Sequence, residues 1–180
     1  MNKKILIILF LIPILLISTT SCGNNRSNKN KEKIEFKDEE SGYITNLYYN
    51  KKDNFSDISQ RISKPTTLSF TNKDLNVEFL MSYSKYNNNI YKNTKKSRKE
   101  QKYFQEYKFG KYEAYTYGNY DERLNMIILL DNSKKNGEID LNITITRIED
   151  KNKTIVKEVV DSDTIQNFLK SIDFKIEKKK

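Results

Sequence analysis

Residues 75–84 read Leu-Asn-Val-Glu-Phe-Leu-Met-Ser-Tyr-Ser. Leu75, Val77, Phe79, Met81 and Tyr83 occupy alternate positions, and that period of two marks a strand with one buried face. The pattern returns at residues 139–146, where Ile139, Leu141, Ile143 and Ile145 alternate with Asp140, Asn142, Thr144 and Thr146. Met126 to Leu130 is wholly apolar and suits a strand covered on both faces. Together these segments predict an antiparallel sheet.

Turn chemistry extends the sheet in both directions. Thr66–Thr71 and the 75–84 strand form a hairpin around Asn72-Lys73-Asp74. Gln105–Phe109 and Tyr112–Tyr117 form another around Gly110-Lys111, a two-residue loop with glycine first. Asn136-Gly137 is a turn signal before the 139–146 strand. Ile34–Phe36 and Tyr43–Tyr49 read as further strands. Three segments read as helices. Phe55, Ile58 and Ile62 recur at i, i+3 and i+7, and Lys64-Pro65 ends that run. A polar helix is predicted from Ile90 to Tyr103, after Asn87-Asn88-Asn89. The last starts near Asp161-Ser162-Asp163, where any of the three can cap it. It carries the apolar stripe Ile165, Phe168, Leu169 and Ile172. The expected fold is α+β: a single antiparallel β-sheet flanked by helices, formed by residues 34–177.

This order of elements, with Lys-Phe-Gly-Lys-Tyr-Glu-Ala-Tyr at 108–115 and Ile-Gln-Asn-Phe-Leu-Lys-Ser-Ile-Asp-Phe at 165–174, resembles small exported proteins of the PsbP/Mog1-like fold. The resemblance implies the same single sheet between helices, and a role in binding or stabilising partners. It carries over no site residue.

The N-terminus has its own logic. Met1-Asn-Lys-Lys4 is followed by an apolar run from Ile5 to Ile17 and by Ser18-Thr-Thr-Ser-Cys22. A charged start, an apolar middle and small residues are the layout of a secretion signal. The run is interrupted by Pro13 and falls short of the ~20 apolar residues that span a bilayer. Thr19-Thr20-Ser21-Cys22 resembles the lipobox of bacterial lipoproteins. That resemblance implies removal of residues 1–21 as a signal peptide and a diacylglyceryl group on the Cys22 sulfur. Two acyl chains give stable anchoring, here to the outer face of the cytoplasmic membrane. Residues 22–33 then form a lipidated flexible tether, and 178–180 a basic tail.

Composition excludes much chemistry. There is no histidine, and Cys22 is the one cysteine. Ser-His-Asp catalysis, thiol catalysis and Cys/His metal cages are therefore closed to this chain. No cofactor and no metal are expected, and the chain reads as a non-enzyme. Ser82-Tyr-Ser-Lys85 matches a serine–lysine motif but falls at a strand end. Asp131, Glu138 and Asp140 offer oxygen ligands, yet Gly137 misses the EF-hand position, so they read as a solvated hairpin end.

The net charge of +9 is unevenly placed. Residues 34–177 balance 24 basic against 23 acidic side chains, but 85–111 hold nine basic and two acidic. Lys92, Lys95, Lys96, Lys99 and Lys102 fall near helical spacing and form the expected binding face for anionic lipid or wall polymer. Export argues against nucleic acid as partner, and the abundance of Lys, Asn and Ile also fits a low-GC genome. Six of the twelve tyrosines lie between Tyr103 and Tyr120. They either line a sheet face that holds a glycan or partner, or pack beneath a helix. The functional expectation is a surface-tethered lipoprotein that binds a protein or an anionic envelope polymer. The alternative is a small envelope hydrolase that uses carboxylates.

Overall fold

The computed structural model describes residues 30–63, 65–87, 89–150 and 153–177. The signal segment, Cys22 and the 178–180 tail lie outside them. In chain order the elements are β1 (Lys31–Asp38), β2 (Tyr43–Asn50), β3 (Phe55–Arg61), β4 (Thr67–Asn72), β5 (Val77–Tyr86), α1 (Ile90–Arg98), β6 (Gln105–Phe109), β7 (Tyr112–Tyr120), β8 (Arg123–Ser133), β9 (Gly137–Arg147), α2 (Val156–Asp161), α3 (Asp163–Lys170) and β10 (Asp173–Ile176). Lys31 to Lys33, read from sequence as tether, open β1. Among the described residues no helix is long and apolar enough to cross a membrane.

The strands make two sheets, which corrects the expectation of a single sheet flanked by helices and of a PsbP/Mog1-like architecture. The larger sheet has seven strands in the order β3-β4-β5-β9-β8-β7-β6, and the smaller has three in the order β1-β2-β10. Every pairing is antiparallel. The reason lies in the width of the apolar face. Phe70, Phe79, Met81, Ile143, Met126, Ala114 and Phe109 carry it from β4 to β6, and all are buried. Seven strands spaced ~4.8 Å apart are roughly 29 Å across. The eight residues of α3 make a rod only about 12 Å long. The small sheet supplies the missing cover through Ile34, Phe36, Tyr43 and Leu47, which share one core with the large sheet and with Val156, Val160, Ile165, Phe168 and Leu169 of α2 and α3.

Aromatic packing locks the layers. Phe168 of α3 stacks on Phe55 with centroids 4.4 Å apart. Phe70 and Phe79 stack at 4.8 Å and meet the Phe168 ring edge-on or nearly so. Ser162 caps α3, its hydroxyl accepting from the Ile165 N–H. The helix therefore starts at Asp163, and its expected stripe faces the core. The short α2 before it was not anticipated.

The helix expected from Phe55, Ile58 and Ile62 is strand β3. Only Phe55 of that trio is buried; Ile58 is 47% and Ile62 77% exposed. The helical spacing came from two isoleucines facing solvent, so no apolar stripe exists to hold a helix down. β3 is an edge strand with a register shift between Ser56 and Ser59, where Asp57 takes φ 52°. Such an irregularity bends an edge away from further pairing.

Candidate functional site

The alternation that buries one face of β5, β9 and β8 leaves a second face outward. Its rows follow from register: Leu80, Thr144 and Asn125; Ser82, Asn142 and Ile127; Ser84, Asp140 and Leu129. Toward β7 this face becomes aromatic, with Tyr115 opposite Ile127 and Tyr117 opposite Asn125. Helix α1 lies there. Its Tyr91 packs with Tyr115 and Ile127, and Phe104, Tyr117 and Leu129 close around them. The tyrosines of this face therefore sit under a helix. The small sheet and α2–α3 cover one side of the large sheet, and α1 covers part of the other.

Helix α1 ends earlier than the sequence suggests. It spans Ile90–Arg98, with Lys99 as C-cap. Beyond it the Tyr103 N–H donates to the Gly118 carbonyl at 2.9 Å, tying that residue to β7. Lys95, Lys96 and Arg98 in the last turn suit the negative end of the helix dipole.

The five lysines expected to share a face divide. Lys95 turns to the sheet edge, 3.1 Å from the Glu106 carboxylate and over the Tyr91 ring. Lys102 lies past the helix, 2.7 Å from Asp121 and over the Tyr103 ring. Its hydrogen bond to Asp121 raises the ammonium's pKa above the usual lysine value and holds Asp121 below the usual carboxylate range. Lys92, Lys96 and Lys99 stand at i, i+4 and i+7, which places them on one side of a helix. All three are exposed, and none has an ion-pair partner among the described residues.

The first turn of α1 is held from below. The Tyr91 N–H donates to the Glu138 carboxylate at 2.7 Å within the protein interior. Glu138 is 3% and Asp140 2% exposed, so the two acids are not a solvated hairpin end. Burial, and then the charge of Glu138, push the Asp140 carboxyl up to about 7. Burial likewise pushes the hydroxyls of Tyr91 and Tyr115 up. A cavity of about 480 Å³ opens beside the helix start, lined by Asn87, Asn89, Asn93, Asn132, Ser133 and Glu138 among others. Gly137 fixes its floor. At φ +78° it runs so close to β5 that a Cβ would sit 2.8 Å from the Tyr86 carbonyl.

The other sequence candidates are not assembled into sites. Ser82 and Lys85 are three apart on β5 and point to opposite faces. Asp131 closes its own turn, accepting from the Ser133 N–H at 2.9 Å and from Asn136 Nδ2 at 2.6 Å. Among the described residues no three His, Cys, Asp or Glu side chains cluster as metal ligands. Sequence reasoning missed the burial of Glu138 and Asp140, whose outward position on β9 looks solvated until α1 is placed over it.

No family model matches this chain, and neither a curated protein nor a solved structure matches it.

Proposed function

We propose that the protein is a lipid-tethered, non-catalytic binding module of the bacterial envelope, and that α1 presents Lys92, Lys96 and Lys99 to an anionic envelope polymer. The observation that carries this reading is a stripe of three exposed lysines without an ion-pair partner among the described residues, while Lys95 and Lys102 beside them are engaged by acids. The layer order supports a wall polymer over the anchoring membrane as the target. β1 belongs to the small sheet on the inner side of the large one, whereas α1 lies on its outer side. The expected tether joins the domain through β1, in the layer opposite α1.

Each lysine near an anionic surface contributes about 1 kcal/mol, and the interaction decays over a Debye length of ~10 Å at 0.1 M salt. Three give an affinity gain on the order of a hundredfold at low salt. The test uses the chain from Gly23 onward, which carries no acyl group, sedimented with purified wall fragments and separately with anionic vesicles. Wall binding should fall about a hundredfold in the Lys92, Lys96, Lys99→Gln triple variant. It should persist in Lys95→Gln and Lys102→Gln. Equal binding by the triple variant, or preference for vesicles over wall, would defeat this reading.

A further inference from the structure

Beneath α1 the large sheet holds two acids and only one answer to them. Glu138 and Asp140 are two positions apart on β9, so both side chains rise from the outer face. Glu138 is met by the Tyr91 N–H at 2.7 Å. Among the described residues no hydrogen bond reaches the Asp140 carboxyl. Its Oδ1 is sealed without a hydrogen-bond partner, as are the hydroxyls of Tyr91 and Tyr115.

Among the described residues no cation acts on the Asp140 carboxyl itself. Ser84 on β5 and Leu129 on β8, the cross-strand neighbours of Asp140, are uncharged. Tyr91 of α1 and Tyr115 of β7 both lie within electrostatic reach of Asp140. The charged groups around them are Glu113 of β7, Glu106 of β6, and Lys95 and Arg98 of α1. Lys95 is engaged by Glu106, and Arg98 stands over the Tyr117 ring. The charge that acts on Asp140 is that of Glu138, of the same sign.

The helix above is lightly fastened. Tyr91 is the one buried residue of α1. Apart from that side chain, it is held by the Glu138 bond, the Lys95–Glu106 pair and the Arg98–Tyr117 contact. β9, by contrast, is hydrogen-bonded on both edges, to β5 and to β8.

We propose that α1 is a proton-gated lid: it lies closed on the outer face while Asp140 holds a proton, and loss of that proton releases it. A neutral carboxyl needs no counter-charge. An ionised one is a second buried negative charge beside Glu138, and such a charge is costly without a partner or water. Lifting α1 readmits water, and it breaks far less structure than moving β9 would. The sign follows from linkage. The closed form binds the proton more tightly than the open form, in which Asp140 returns toward an ordinary carboxylate. The open-to-closed ratio therefore climbs with pH, by up to tenfold per unit, between about 4 and about 7, and levels above. The lid carries the lysine stripe with it, but this inference does not depend on what the stripe binds.

Hydrogen–deuterium exchange on the full chain in detergent, from about pH 5 to pH 8 and corrected for intrinsic exchange, reads the lid directly. Protection of the α1 amides should fall by up to tenfold per unit to about pH 7 and then level. The β5 and β9 amides should stay far better protected throughout. Asp140→Asn, which mimics the protonated side chain, should keep α1 protected at every pH. Glu138→Gln should move the transition to lower pH by removing the neighbouring charge. Helix and sheet amides equally protected at every pH would overturn the proposal, because α1 would then open only with the whole domain. A pH-independent wild type, or a response that survives Asp140→Asn, would overturn it too. The wild-type series decides the matter even where a variant does not fold.

Discussion

The ring of Tyr83 lies flat on that of Phe36, with centroids 4.4 Å apart and planes 3° from parallel, and its hydroxyl donates to the Phe36 carbonyl at 2.9 Å. The same oxygen is 2.8 Å from the Thr45 hydroxyl. Tyr83 is on β5 of the large sheet, and Phe36 and Thr45 are on β1 and β2 of the small one. One side chain thus fastens the two sheets by stacking and by hydrogen bonding.

Tyr83→Phe separates the two contributions. It keeps the stack and removes one of the donors to the Phe36 carbonyl, which stays paired with Thr45 in the β1–β2 ladder, at a cost of about 0.5–1.5 kcal/mol. Urea unfolding should show the midpoint fall without a change in slope. An unchanged midpoint would mean that the hydroxyl contributes nothing to holding the sheets together.

Phe168→Ala should cost ~3–5 kcal/mol, a large share of the stability of a domain this size. The side chain is 1% exposed and contacts the rings of Tyr49, Phe55, Phe70 and Phe79. A cavity at that point has four aromatic walls that cannot all move inward. Thermal melting of the variant checks this; an unaltered midpoint would place α3 off the core.

Asp140→Asn should stabilise the protein at neutral pH and not in acid. The carboxyl is raised in the folded state to about 7, so the folded form holds a proton that the unfolded form has lost. That contribution is complete below about pH 4 and is lost as pH rises to about 7, at no more than ~1.4 kcal/mol per unit. The gap between variant and wild type should open across that window and stay constant above it. A constant gap at all pH would show that Asp140 does not titrate there.

Cys22→Ser tests the anchor implied by the lipobox resemblance. Lipidation needs the thiol, so the variant should leave the membrane fraction or persist as unprocessed precursor. Mass spectrometry of the membrane-bound wild type should find an acylated Cys22. A free thiol in that fraction would refute the lipoprotein reading.

How much of this was legible in the sequence depended on whether the signal was local. The alternation at 75–84 became β5, although Asn76 turns with φ 57° and the strand begins at Val77. The 139–146 alternation became β9, and Gly110, at φ 60°, turns the β6–β7 hairpin as its position foretold. The stripe of Ile165, Phe168 and Leu169 is buried as read. Two kinds of feature were hidden. β3 was misread because two exposed isoleucines imitate helical spacing by chance. The small sheet was invisible because β10 pairs with β2 across more than half the chain, and no periodicity within four residues announces it. The same holds at the site. The lysine spacing suggested one broad face, but which lysines stay free is decided by Glu106 and Asp121, acids carried by β6 and the β7–β8 turn.

The pairing of β10 with β2 has a consequence for how the molecule is made. Asp173 to Ile176 align with Asn46 to Tyr43, so the last strand completes a sheet begun by the first two. A chain emerging from its N-terminus can close the β1–β2 hairpin at once. It must then hold the far edge of β2 open while all seven strands of the other sheet are laid down. Long-range pairing of this kind slows folding, and an unpaired edge invites association with another chain. A product that stops at Ile172 would possess all three helices and the entire large sheet and still leave one edge of β2 bare. Pairing of β10, rather than burial of the main core, is the step that covers the far edge of β2.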